Sequence, residues 1–70
     1  MYVYRVALFL TEAEVTKAKA WFKLRGVKVE TERDPLEGGW AVMADEEHAR
    51  LAARMWAQSR PSWAARPEEN

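Results

Sequence analysis

The spacing of apolar positions alternates between a period of two and a period near 3.6, and this predicts strand, helix, strand, strand, helix. Residues 2–10 are almost unbroken in apolarity and rich in β-branched and aromatic side chains, which predicts a strand buried on one face and partly covered on the other. With strict alternation Tyr2, Tyr4, Val6, Leu8 and Leu10 share one face, while Val3, Arg5, Ala7 and Phe9 share the opposite one. Thr11, Glu12, Ala13 and Glu14 then form a T-x-x-E capping box that starts a helix. Val15, Ala18 and Phe22 follow at spacings of three and four, with Trp21 beside them, and Gly26 supplies the left-handed residue that commonly ends a helix. Ala13, Ala20 and Leu24 lie opposite that stripe, so this helix is expected to have a second contact surface.

Val27, Val29 and Thr31 alternate with Lys28, Glu30 and Glu32, the pattern of a half-buried strand with one wet face. Asp34, Pro35, Gly38 and Gly39 are turn chemistry, so Trp40 to Ala44 returns as a third strand in a hairpin, and its charge-free run suits a central position. Asp45 caps a second helix, with Glu46 and Glu47 favoured in its first turn by the helix dipole. Leu51, Ala52, Met55 and Trp56 fall on its inner side, and the helix ends near Pro61. Residues 1–59 therefore read as a single βαββα domain, and residues 60–70, with two prolines, four charges and no periodicity, as a flexible carboxy-terminal tail.

A strand, helix, strand unit crosses over right-handedly, and a split version places the third strand between the other two. The expected fold is an α+β two-layer sandwich with sheet order first, third, second and both helices on one face. It resembles a ferredoxin-like half lacking the fourth strand. Without that strand the first strand is an edge, and residues 2–10 are expected to pair with a second copy in a homodimer, with the tail, or with a strand of a partner.

Composition sharpens this picture. At 70 residues the chain has room for one domain, whose core supplies only ~3–5 kcal/mol of net stability. With no cysteine and one histidine, neither disulfides nor a clustered metal site add to it, which leaves oligomerisation or a partner. No apolar run reaches the ~18 residues of a membrane span and the amino terminus lacks a secretory pattern, so the protein is expected to be cytoplasmic, away from membranes. Lysine plus arginine and aspartate plus glutamate both number 11, so no global field draws the chain to nucleic acid. The charges are nevertheless segregated. Between Val15 and Val29 every charge is positive (Lys17, Lys19, Lys23, Arg25, Lys28), whereas between Glu30 and Glu47 seven acids face Arg33 alone.

The stretch from Tyr4, Arg5 and Val6 through Thr11 to Val15, then Ala18, Phe22, Gly26, Val27 and Gly39 to Val42, resembles the spacing of sporulation-related-repeat (SPOR) domains. It also resembles small prokaryotic βαββα proteins described as signal transducers. The likeness covers residues 2–58. The SPOR resemblance implies binding of cell-wall glycan strands, a fourth strand and delivery outside the cytoplasm; this chain shows three predicted strands and no export signal.

Catalytic motifs are missing from the sequence: no cysteine nucleophile, no G-x-S-x-G elbow, no phosphate-cradling glycine loop and no zinc ligand set. The expectation is a non-enzyme without a cofactor. His48 reads as a boundary residue of its helix, Glu46 and Glu47 as dipole and solubility residues, and Asp34 with Glu37 as a turn that solvates itself. Trp21 and Trp56 sit at core-facing or boundary positions. Trp40 opens a strand beside a turn, and Trp63 lies past the last helix, to pack back or to meet a partner. The leading functional expectation is a small adaptor or inhibitor that binds a protein, of the type a phage or mobile element directs at host machinery. Its candidate partner-binding residues are Arg5, Phe9, Lys19, Lys23, Arg25, Trp40 and Trp63. The alternatives are nucleic-acid binding through the basic stretch, with Trp21 to stack on bases, and self-assembly as a structural role.

Overall fold

The computed structural model describes residues 4–34 and 38–64. The elements are β1 (Tyr4–Phe9), α1 (Glu12–Leu24), β2 (Glu30–Arg33), β3 (Trp40–Ala44) and α2 (Glu46–Ser59), followed by a short 3-10 turn at Ser62–Ala64. The sheet has the order β1-β3-β2, antiparallel at both seams, which is the expected βαββα arrangement. Both helices pack on the same side, because Val42 and Ala44 of the central strand join Val15, Ala18 and Phe22 of α1 and Ala52 and Trp56 of α2 in one core.

Local chemistry sets each boundary. Thr11 Oγ1 accepts from the Glu14 amide at 3.2 Å and the Glu14 carboxylate accepts from the Thr11 amide at 3.3 Å, so the capping box is closed in both directions. At the other end of α1 the Gly26 amide donates to Lys23 O at 3.1 Å and the Val27 amide to Phe22 O at 3.0 Å. This is the Schellman pairing, which needs a left-handed residue, and Gly26 has φ +75°. The β2–β3 hairpin closes through Asp34 N–H to Gly39 O at 2.8 Å and Gly38 N–H to Asp34 O at 3.0 Å. A Cβ on Gly39 would stand 2.8 Å from Phe9 O, so no other residue fits there without displacing β1. Pro35 and Glu37 of the expected turn, and Tyr2 and Val3 of the expected first strand, lie outside the described residues.

Two expectations are corrected. Strict alternation in the first strand fails at Val6, where the register slips between Arg5 and Ala7: Arg5 pairs with Met43 but Ala7 with Val42. Such a bulge puts two residues opposite one and re-aims the side chains that follow. Val6 and Ala7 both pack towards the helices as a result, and Phe9, at 2% exposure, is a core residue rather than a contact for a partner. The second correction concerns the tail. It does not loosen at Arg60, because Ala64 is buried in the core and Trp63 packs against it, with ring centroids 6.1 Å from Phe9 and 6.3 Å from Trp56. Residues 65–70 lie outside the described residues.

Candidate binding surface

The basic stretch divides in two when it folds. Lys17 and Arg25 turn to the aromatic side of α1. The Arg25 guanidinium lies 3.8 Å from the Trp21 ring centroid and donates to Trp21 O at 3.0 Å, while the Lys17 ammonium sits 5.5 Å from the Trp63 ring. Both contacts are cation–π packing that closes the core at its edge. Arg25 is therefore engaged with Trp21 and Trp63 with Lys17, and the Trp21 face expected to stack on bases is covered by a guanidinium.

Lys19 and Lys23 point to the other side, as their four-residue spacing on one helical stripe requires. The Schellman turn at Gly26 reverses the chain so that Lys28 arrives beside them. The three lysines surround a shallow groove of about 440 Å³, floored by Val27 and Val29 and completed by Gly26 and Glu30. Its charges are not uniform. Lys19 Nζ lies 3.3 Å from Glu30 Oε1, and both side chains are about half exposed. Lys28 was a sequence candidate only for nucleic-acid binding, as part of the basic stretch, and Val29 and Glu30 were in no candidate site. The signal was present in the alternation of Lys28 and Val29 directly after the helix-ending glycine.

The remaining candidates are structurally committed. Arg5 reaches across the central strand, on the face opposite the helices, to donate to Asp34 Oδ2 at 3.0 Å. Trp40 is half-buried against the core, with the Arg33 guanidinium 5.6 Å from its ring centroid. On α1 the opposite stripe of Ala13, Ala20 and Leu24 is exposed, Leu24 at 85%. A smaller cleft of about 210 Å³ lies along Val6 to Phe9, between Trp56, Arg60 and Ala64.

Asp45, Glu47 and His48 bring ligand atoms within 4.8 Å of one another, close enough to share a cation. The geometry has another cause: Asp45 Oδ1 accepts from the His48 amide at 2.9 Å, as an N-cap, and lies 2.9 Å from His48 Nδ1. These two hydrogen bonds, the ring contact first, hold the Asp45 carboxyl below its ordinary value of 3.8. Among the described residues no helix is long and apolar enough to cross a membrane. No family model, curated protein or solved structure matches the chain, so the likeness to SPOR domains rests on residue spacing alone.

Proposed function

We propose that this chain is a small, cytoplasmic, non-catalytic protein-binding module, an adaptor or inhibitor that acts by occupying a surface of its partner. Its contact face is the groove formed by Lys19, Lys23 and Lys28. The observation that carries this reading is the company those lysines keep: an apolar floor of Val27 and Val29 beneath them and a carboxylate, Glu30, already seated against one of them. Ammonium groups around an apolar floor match a protein segment that offers carboxylates and aliphatic side chains together.

Nucleic acid fits less well. Binding to single strands needs aromatic platforms beside the cations, and here Trp21, Phe22, Trp56 and Phe9 are buried while Arg25 covers the Trp21 face. Glu30 and Glu32 also interrupt the positive field within a few residues of Lys28. Self-assembly as the whole function has no feature of its own that the adaptor reading lacks.

Co-purification from lysate of the native cells, with and without nuclease, tests the proposal. The expected result is a stoichiometric protein that survives nuclease and washes off only gradually with salt. Loss of every partner after nuclease would transfer the groove to nucleic acid, and recovery of the chain by itself would favour self-assembly.

A further inference from the structure

We infer that β2 is a strand-addition edge and that its occupant is an extended acidic segment of the protein partner; this rests on the protein-binding reading above and specifies its chemistry. The sheet order leaves two edges, β1 and β2. Of the two, β2 is the one that continues from the lysine groove. Among the described residues β2 pairs on one side only, with β3. The groove lies along Gly26 to Glu30, the extended segment that leads into β2 and meets it at Glu30, and α1 overhangs it with Lys19 and Lys23.

A strand laid against this edge would present its side chains alternately to the two faces of the sheet. Those on the helix side meet Lys19 and Lys23, above the buried Val27 and Val29. Those on the other side meet Lys28. Carboxylates on either face thus find an ammonium, and apolar residues between them extend the valine floor.

Glu30 shows which chemistry the overhang accepts. Its ladder partner Met43 alternates with Val42 and Ala44, which face the core, so Glu30 starts on the face away from the helices. Its carboxylate nonetheless meets Lys19 on α1, so the side chain bends round the edge of β2 and latches over it. Exposed pairs of this kind are weak, and an incoming carboxylate displaces the latch at little cost. Lys28, Glu30, Glu32 and Arg33 put a charge on four of the six positions from 28 to 33, the usual protection against indiscriminate strand pairing. A second copy is a poor occupant, because antiparallel self-pairing across this edge would set both lysine-bearing helices on the same side of the joined sheet.

The test titrates the full chain, followed by its backbone amide signals, with a capped peptide of about ten residues alternating glutamate and valine. Two controls replace glutamate by lysine, or valine by proline, which cannot donate to a ladder. The expected result is binding of the glutamate–valine peptide alone, with slowed amide exchange in residues 28–33. Affinity should fall about tenfold or more in Lys23→Glu/Lys28→Glu and rise a few-fold in Glu30→Gln, whose latch is open. Equal binding of the glutamate–proline peptide would overturn strand addition while leaving a lysine-based protein contact. No binding of the glutamate–valine peptide at millimolar concentration, or equal binding of the lysine peptide, would overturn the inference outright. A natural partner retained undiminished by the lysine variants would instead sink the groove reading on which it rests.

Discussion

Helix α1 contributes to two regions of opposite character. On one side Trp21 and Phe22 enter an aromatic cluster: Trp21 meets Trp56 edge-on at 5.2 Å, Phe22 stacks on Trp56 at 5.5 Å, and Phe9 meets Trp56 edge-on at 5.6 Å. On the other side Lys19 and Lys23 overhang a groove in which Lys19 pairs with Glu30 half in water. Edge-to-face aromatic packing is dry and mutually constraining, so each ring fixes the next. Exposed ammonium groups on flexible stems do little for stability and remain available to a partner. In so small a chain the aromatic side holds the fold, and the lysine side is spared that task; the proposed binding surface lies there.

Substitutions on the aromatic side break the comparison most severely. Phe22 is fully buried, and Phe22→Ala should cost ~3–5 kcal/mol, which matches the whole stability expected of a 70-residue core. Thermal unfolding should show no cooperative transition for this variant. Trp63 is only partly buried, and Trp63→Ala should cost about 2 kcal/mol, read as a lower urea midpoint with a two-state curve retained. A Trp63→Ala variant as stable as the parent would mean that the 3-10 turn adds nothing to the core.

Gly26 joins the two regions, since the turn it makes both packs Val27 on Phe22 and delivers Lys28 to the groove. Nothing lies within 4 Å of a Cβ built there, so Gly26→Ala tests the backbone alone. The left-handed conformation should cost alanine about 1–2 kcal/mol, measured by urea unfolding, and shift the amide signals of residues 26–30 more than those of α2.

A smaller effect is expected at Asp45. Its carboxyl is held below 3.8 in the folded chain by the His48 ring and amide, so the charged form is favoured by folding. That contribution is complete above the unfolded value and is lost as pH falls through the lower folded one. The melting temperature should therefore drop between 3.8 and the folded value, and Asp45→Asn, which keeps a capping oxygen but does not titrate, should show a shallower drop over the same range.

Much of the fold was legible because its signals are local. The capping box at Thr11, the glycine at the end of α1, the hairpin turn between Asp34 and Gly39 and the N-cap at Asp45 each act within a few residues. Sheet order followed from the split crossover. The β1 bulge was not legible, since nothing in the composition of residues 4–9 marks Val6 as the extra residue, and the slip decides that Phe9 is core. Trp63 was equally open, because its position depends on rings contributed by β1 and α2, distant in sequence. The shared stripe of Lys19 and Lys23 was legible from their spacing, whereas the closure of Arg25 over Trp21, four residues away, was not. The role of Lys28 needed the reversal at Gly26 to be seen in three dimensions.

The most direct test of the division between a holding side and a binding side is co-purification from nuclease-treated native lysate with the parent chain, Lys23→Glu/Lys28→Glu and, as a control, Glu46→Lys/Glu47→Lys. The lysine substitutions are on the surface and should change unfolding free energy by no more than about 0.5 kcal/mol. The stoichiometric partner should be lost from the lysine variant and kept by the control. A partner recovered equally by all three chains would contradict the account and place the binding surface elsewhere on the molecule.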